Sequence, residues 1–564
     1  GPHYPFPGAA CRSAVGAPRT LPGLTPGKPN GTGCEVLSGR HFPAEWRGSI
    51  VENDFRANRT VRYRITETSS GYTAEEVETL IRSSRKTFRP VDLKVGPDGA
   101  LYIVDWYNAI IDHGEVDFHH PLRDKAHGRI WRLIVKDRSL VERPNIHGAA
   151  VESLLEYLKA PEGYSRTQAK RELSTRPRDK VLPKLESWLT GLSSEDPEFE
   201  HHYLEALWLY DTMNQPNEKL LRKVMASPEP RARANGVRVL SHWRDHIDKP
   251  FELFTAAIND EHPQVRLEAV NMLREIGSLE AANIAIRALR RPVDQWLDYA
   301  IWLTARELRD AWLPALQSGK EVFGGATDQL RYALEATGDP RATERLVALL
   351  RDSKINENAT PNVVKTIAAL GNAPEVDHIL TLADKQPSLL VSIAEGARHN
   401  TAKPDRATSV IEHITHGDRT VREAAAELAG IWRVTGADDV LASRVRNAQD
   451  ASEHLIAARA LARLKQFDRL AGLASSTQDQ NVRIAAVAAW AEAQPEEARR
   501  PAVEILVSAS KSEDIKPIFE AFINRASGAS QLAEALEKFR LKEAVAITGI
   551  RLVRASGREF PELI

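Results

Sequence analysis

Two hydrophobic periods divide this chain. Up to about residue 140, apolar positions alternate with polar ones in short runs bounded by Gly, Pro, Asn and Asp, which predicts strands and turns. Gly48-Ser49-Ile50-Val51 and Thr60 to Ile65 read as strands flanking Glu52 to Arg59. Val91, Leu93 and Val95 then alternate with polar neighbours, Pro97-Asp98-Gly99 supplies a tight turn, and Leu101 to Val104 resumes as a buried strand. The next strand signal, Arg129 to Val135, follows a polar excursion from Asp105 to Gly128 that is too long for a plain hairpin loop, and loops of this kind carry function more often than short ones. The opening, with PFPG, LPGLTPGKPNGTG and SGRHFP, reads as turns and extended loop. From about Val151 the period becomes helical and stays so.

The helical part repeats. SPEPRARANGVRVL and DEHPQVRLEAVNML align Arg233 with Arg266 and Leu240 with Leu273, a spacing of 33 residues. Later copies place Asp418, Asp450 and Asp479 at matching positions, 32 and 29 residues apart. A polar turn, then Val-Arg, then small and aliphatic residues at helical spacing resembles a HEAT repeat, in which the turn residue caps the second helix and the small residues let helix pairs stack. One pair cannot bury its own apolar face, so a continuous array of roughly ten to twelve units is expected, some of them degenerate, as around Lys354 to Ala402.

At 564 residues, with 42% hydrophobic and 27% charged content, the chain has room for two or more packed domains. Its 76 basic and 77 acidic residues leave a net charge of -1, so no global field would hold it on nucleic acid or an anionic membrane. No apolar run approaches the ~20 residues a membrane helix needs. The two cysteines, Cys11 and Cys34, both lie in the opening. They form either a disulfide worth about 3 kcal/mol in the chain-entropy account, or two buried free thiols. A CxxCH haem-attachment motif is absent from the sequence.

The long excursion gathers candidate chemistry. His113, Glu115, Asp117 and His119 would share one face of an extended segment, with Asp105, Asp112, His120 and His127 nearby. His113, Glu115 and Asp117 are the candidate metal ligands, carboxylates favouring calcium and imidazoles zinc or iron. The other reading is a loop pinned by ion pairs among Glu115, Asp117, Arg123, Asp124 and Arg129, with His127 bonded to backbone. The adjacent His201 and His202 point about 100° apart on a helix and suit packing or capping. Trp302, Trp312, Trp432 and Trp490 sit in helical apolar patterns that predict core positions. The basic run Arg82 to Arg89 reads, taken alone, as a solvated loop.

Residues 88–118, HGRIWRL and GTGCEVLSGRHFPAEWRG together resemble the propeller of large multidomain proteins of the Planctomycetes and Verrucomicrobia known as membrane-bound dehydrogenases. Those proteins join a propeller similar to quinoprotein glucose and sorbosone dehydrogenases to HEAT repeats, commonly with a C-terminal cytochrome c module. The resemblance implies pyrroloquinoline quinone, whose carboxylates need guanidinium forks. Arg89 matches the first arginine of the relatives' Arg-x-Arg-Asp, and the second falls on Val91. Arg56 or Arg59 stands where an upstream blade carries a basic residue. Arg89 is therefore expected at the propeller mouth, with Arg56 as a second quinone contact, and calcium as a possible companion ion. The relatives' general-base histidine lies in a blade absent here, so no catalytic residue is assigned.

The expected fold is thus β then α: a partial β-propeller over 1–140, a linker over 141–150 and a HEAT-repeat α-solenoid over 151–564. The resemblance implies a fragment of a periplasmic or cell-surface dehydrogenase oxidising a sugar or related alcohol, with a cytochrome c module as electron acceptor. The competing expectation is a non-catalytic scaffold that binds a protein or polysaccharide through its solenoid.

Overall fold

The computed structural model describes residues 31–111, 116–476, 479–509, 515–525 and 527–556, together with 560 and 563. Seven strands form two antiparallel sheets. The first has the order β1 (Gly31–Val36), β2 (Ile50–Asp54), β3 (Arg59–Thr68), β4 (Gly71–Arg82), and the second β5 (Pro90–Val95), β6 (Leu101–Asp105), β7 (Arg129–Leu133). The alternation seen in sequence does its work here, because Val51, Leu93, Val95, Leu101 and Ile103 bury their side chains with Leu37 and Phe42 in one apolar cluster. The expected β-rich region is present as a four-stranded and a three-stranded open sheet, and these do not close into a ring among the described residues.

Helices begin at Val151–Glu156, and no strand follows Leu133 among the described residues. The chain packs into two units, one reaching Gly325 and the other running from Ala326. The change of period and the change of unit therefore lie almost two hundred residues apart, because the sheets are tied to the first repeats. Glu162, buried at the start of the helix Gly163–Ser174, takes the guanidinium of Arg40 at 2.9 and 3.0 Å and its backbone N–H at 3.1 Å. The β3–β4 hairpin reaches further. Its tip residue Ser70 donates from N and Oγ to Asp294 at 2.8 and 2.6 Å, while Glu67 lies 3.4 Å from both Arg231 and His262. Gly71 is pressed onto the Trp296 ring so closely that a Cβ would sit 2.4 Å from it.

Within each unit, second helices of successive pairs stack on one another. Pro230–Trp243, Pro263–Ile276 and Gln295–Glu307 do so in the first, and Arg419–Ile431, Ala451–Arg463 and Gln480–Ala493 in the second. Asp418, Asp450 and Asp479 each cap the helix they precede, accepting from Thr420, Ser452 and Asn481 N–H respectively. The recurring arginine has a matching task. Arg233 donates to the carbonyls of Ser227 and Pro228, Arg266 to those of Asp260 and Glu261, and Arg422 to those of His416 and Gly417. These carbonyls belong to the turn between the paired helices, where they have no helical partner. No helix among the described residues is long and apolar enough to cross a membrane.

Candidate functional site

The second sheet is organised by Asp105, a buried carboxylate at the end of β6. Its Oδ1 accepts the backbone N–H of Arg89 at 2.8 Å and of Tyr107 at 3.0 Å, and its Oδ2 accepts Arg129 Nε and Trp131 Nε1, each at 3.0 Å. With four donors the charge needs no solvent, and β5, β6 and β7 are fixed at one point.

Arg89 differs from expectation. Its side chain is buried, 6% exposed, rather than open at a rim. Nε donates to Asn108 O at 3.1 Å, Nη1 to Phe55 O and Arg56 O at 3.2 and 3.4 Å, and Nη2 to Ala109 O at 3.4 Å. The guanidinium also lies 5.8 Å from the Phe55 ring centroid. Among the described residues these acceptors come from the expected segments and are backbone carbonyls of loops that need a donor. Arg56 contributes a carbonyl to this clamp and leaves its own side chain exposed. A tricarboxylate at Arg89 would have to displace these acceptors, and Val91 offers no fork, so the residues present do not fit the quinone. Arg89→Ala is expected to destabilise the sheets by about 3 kcal/mol through unsatisfied buried carbonyls. Arg89→Lys should recover only part, since an ammonium cannot span carbonyls from two loops. Hydrogen exchange over β5 and β6 measures both.

Of the candidate metal ligands, His113 and Glu115 lie outside the described residues, as does Cys11. Asp117 is exposed and its Oδ1 accepts the His119 N–H at 2.8 Å, which closes a turn. Arg123 donates to the carbonyls of Val116 and Asp117, and His127 Nδ1 sits 2.9 Å from Asp124 Oδ2. The described part of the excursion is thus pinned mainly by arginine and carboxylate bonds to backbone. Cys34 is exposed on β1. Far along the sequence, Asp384, Glu412 and His413 bring ligand atoms within 4.8 Å of one another, but Arg406 already occupies Asp384 at 2.5 Å.

His202 is buried and His201 lies 3.4 Å from the buried carboxylate of Glu205, which also holds Arg166 and Lys170. Burial pushes both imidazoles below their usual pKa, so both are neutral packing groups at pH 7. Trp302, Trp312 and Trp432 are core, whereas Trp490 is half-buried and donates to Gln494.

Sequence reasoning passed over a cavity beside the Asp105 hub. About 410 Å³ opens between the end of β4 and the start of β7, lined by Ile81, Arg82, Ser83, Ser84, Arg85, Phe88, Arg129 and Trp131. The signal was present in the basic run Arg82 to Arg89, but its other wall comes from residues more than forty positions later.

Residues 27–137 match a family model described as a domain of unknown function (DUF7133). Residues 217–303 match one described as HEAT repeats. None of the curated proteins matches this chain. The karyopherin Kap121p, bound to the extreme C-terminus of the protein phosphatase Cdc14p, is similar over 72% of this chain and 52% of that one, with 12% identity and a TM-score of 0.43. Kap95p, in a structure concerning RanGDP, is similar over 72% and 68%, with 11% identity and a TM-score of 0.37. A homology model of the full-length AP-3 complex covers 72% and 86%, with 10% identity and a TM-score of 0.35. This chain spans about half the length of the Kap121p chains it matches.

Proposed function

We propose that this chain is a protein-binding scaffold whose HEAT repeats present, within each unit, a charged face of stacked helices to a protein partner. The observation that carries this reading is the stack of second helices within each unit, three of them in the second unit capped by Asp418, Asp450 and Asp479. Such a stack is quasi-one-dimensional and offers an extended surface rather than a cleft. Charges of both signs pair between successive repeats at 2.5 to 2.7 Å, Arg238 with Glu268 in the first unit and Lys365 with Glu395, Arg398 with Glu427 and Arg459 with Glu492 in the second. A mixed-sign face with a net chain charge near zero suits a folded protein of matching pattern and not a polyanion. Within the first unit the sheets are locked to the first repeats by Glu162 and Asp294.

Cross-linking of the chain in its native cells, followed by mass mapping, tests this. Inter-protein links should concentrate on exposed lysines and carboxylates of the second helices, such as Lys365, and one partner should recur. Links scattered without a recurring partner would overturn the reading. So would sugar-dependent dye reduction on addition of pyrroloquinoline quinone and calcium, which would instead support the dehydrogenase implied by the family resemblance.

A further inference from the structure

The cavity between β4 and β7 has features that the structural roles of its residues do not use up. Arg82 and Arg85 are exposed at its edge, and neither has an acidic partner among the described residues. Their guanidinium groups are therefore not engaged by the fold, and the two lie at the edge of the same cavity. Arg129 forms a third side. Its Nε is held by Asp105 and its Cζ lies 4.0 Å from the Tyr107 ring centroid and 5.2 Å from that of Trp131, which fixes the fork where it lines the cavity.

The loop that carries the other two is built to hold its shape. Asn58, in the left-handed region at φ 55°, accepts the Ser83 N–H at 3.0 Å through its carbonyl and donates from Nδ2 to Phe88 O at 2.5 Å. One residue therefore clamps both ends of the basic loop. Inside it, Ser83 Oγ accepts the Arg85 N–H at 3.1 Å, and the Phe88 N–H bonds Arg85 O at 3.1 Å. The floor is aromatic: Phe88 is buried and meets Trp131 edge to face at 6.3 Å, and Trp131 remains 40% exposed. The volume, about 410 Å³, falls in the range of small-molecule sites, roughly 300–1,000 Å³.

We propose that this cavity binds an oxyanion carried on a ring, a carboxylate or ester anion on a sugar or an aromatic group. Arg82, Arg85 and Arg129 take the anion through charge-assisted hydrogen bonds, Trp131 offers a flat face to the ring, and Ser84 supplies a hydroxyl for a further polar substituent. The anion fixes orientation, and the ring distinguishes the ligand from free sulfate or phosphate.

Isothermal titration of the full chain at low and moderate salt decides the matter, with glucuronate, benzoate, inorganic sulfate and neutral glucose as probes. Glucuronate or benzoate should bind more tightly than sulfate, and glucose should not bind; glucuronate alone assigns a sugar acid, and benzoate alone an aromatic one. Arg82→Ala with Arg85→Ala should weaken the ring acid by about ten-fold or more while thermal unfolding is unchanged, because both side chains are exposed. The double Arg→Lys variant should lie between. Failure of both ring acids to bind, binding of sulfate as tight as theirs, or equal affinity in the alanine variant would each overturn the proposal.

Discussion

Glu453→Ala is expected to cost about 3 kcal/mol and to loosen the helices Arg419–Ile431, Asp438–Asn447 and Ala451–Arg463 before their neighbours. Glu453 is 3% exposed, and Arg422 reaches its Oε1 at 2.7 Å while Arg444 bonds Oε2. Arg419 lies 3.8 Å away. One carboxylate therefore neutralises two largely buried guanidinium groups from two other helices. Deleting it leaves those cations without an anion, and the cost of an unpaired buried charge exceeds what the intact cluster contributes relative to an apolar one. In a repeat array stability is a sum of local terms, so the damage stays local. Hydrogen exchange should show it first in these three helices, and urea unfolding should show an early phase. Arg444→Ala should then cost less in the Glu453→Ala background than alone; strictly additive losses would refute the cluster. The pH dependence has a definite sign. Burial pushes the Glu453 carboxyl up, but the bonds from Arg422 and Arg444 outweigh it and hold the pKa below the usual value. This contribution is present above the ordinary carboxylate range and is lost as pH falls through the lower folded value.

The repeats were legible because their devices are local. A capping Asp acts within one turn, so the positions of Asp418, Asp450 and Asp479 announce what each does. The sheets were legible only where burial on one face forced alternation, as in β5 and β6. Strand β4 was missed because Ala74, Glu75, Glu76 and Glu78 favour helices on their own. Pairing with β3 overrides that preference, and Arg59 on Glu76, Arg62 on Glu78 and Arg64 on Glu75 hold the register. Strand β1 was hidden in a Gly-rich stretch that reads as loop. Arg89 was matched to a ligand, yet its acceptors are carbonyls at Phe55, Arg56, Asn108 and Ala109, and no residue type announces a carbonyl in need of a donor. The cavity escaped for a related reason: Arg82 and Arg85 look solvated until Arg129 and Trp131 are brought opposite them.

Glu52 in β2 gives the second large effect. Replacing it by Gln should stabilise the first sheet by up to about 3 kcal/mol at pH 8 and change little at pH 4.5. Glu52 pairs with Cys34 and Val61 in register, and is 4% exposed. Gly31 lies over its carboxyl so closely that a Cβ would come 1.9 Å from Oε1, and Oε2 has no hydrogen-bond partner among the described residues. Burial, aided by the nearby Asp54, pushes its pKa from 4.5 up to about 7. The same burial, with Glu52 alongside, pushes the Tyr63 phenol up to about 12. A raised carboxyl binds its proton more tightly folded than unfolded. Its contribution is whole below 4.5, is lost as pH rises from there through about 7, and stays lost above that. The amide keeps the shape of the protonated acid and cannot ionise, so the wild-type and Glu52→Gln curves should meet at low pH and separate through this window. Hydrogen exchange of β2 and β3 in both proteins at pH 4.5, 6 and 8, corrected for intrinsic rates, reads the difference directly. A constant offset at all three would mean that Glu52 is ionised in the fold and that Oε2 is served by solvent.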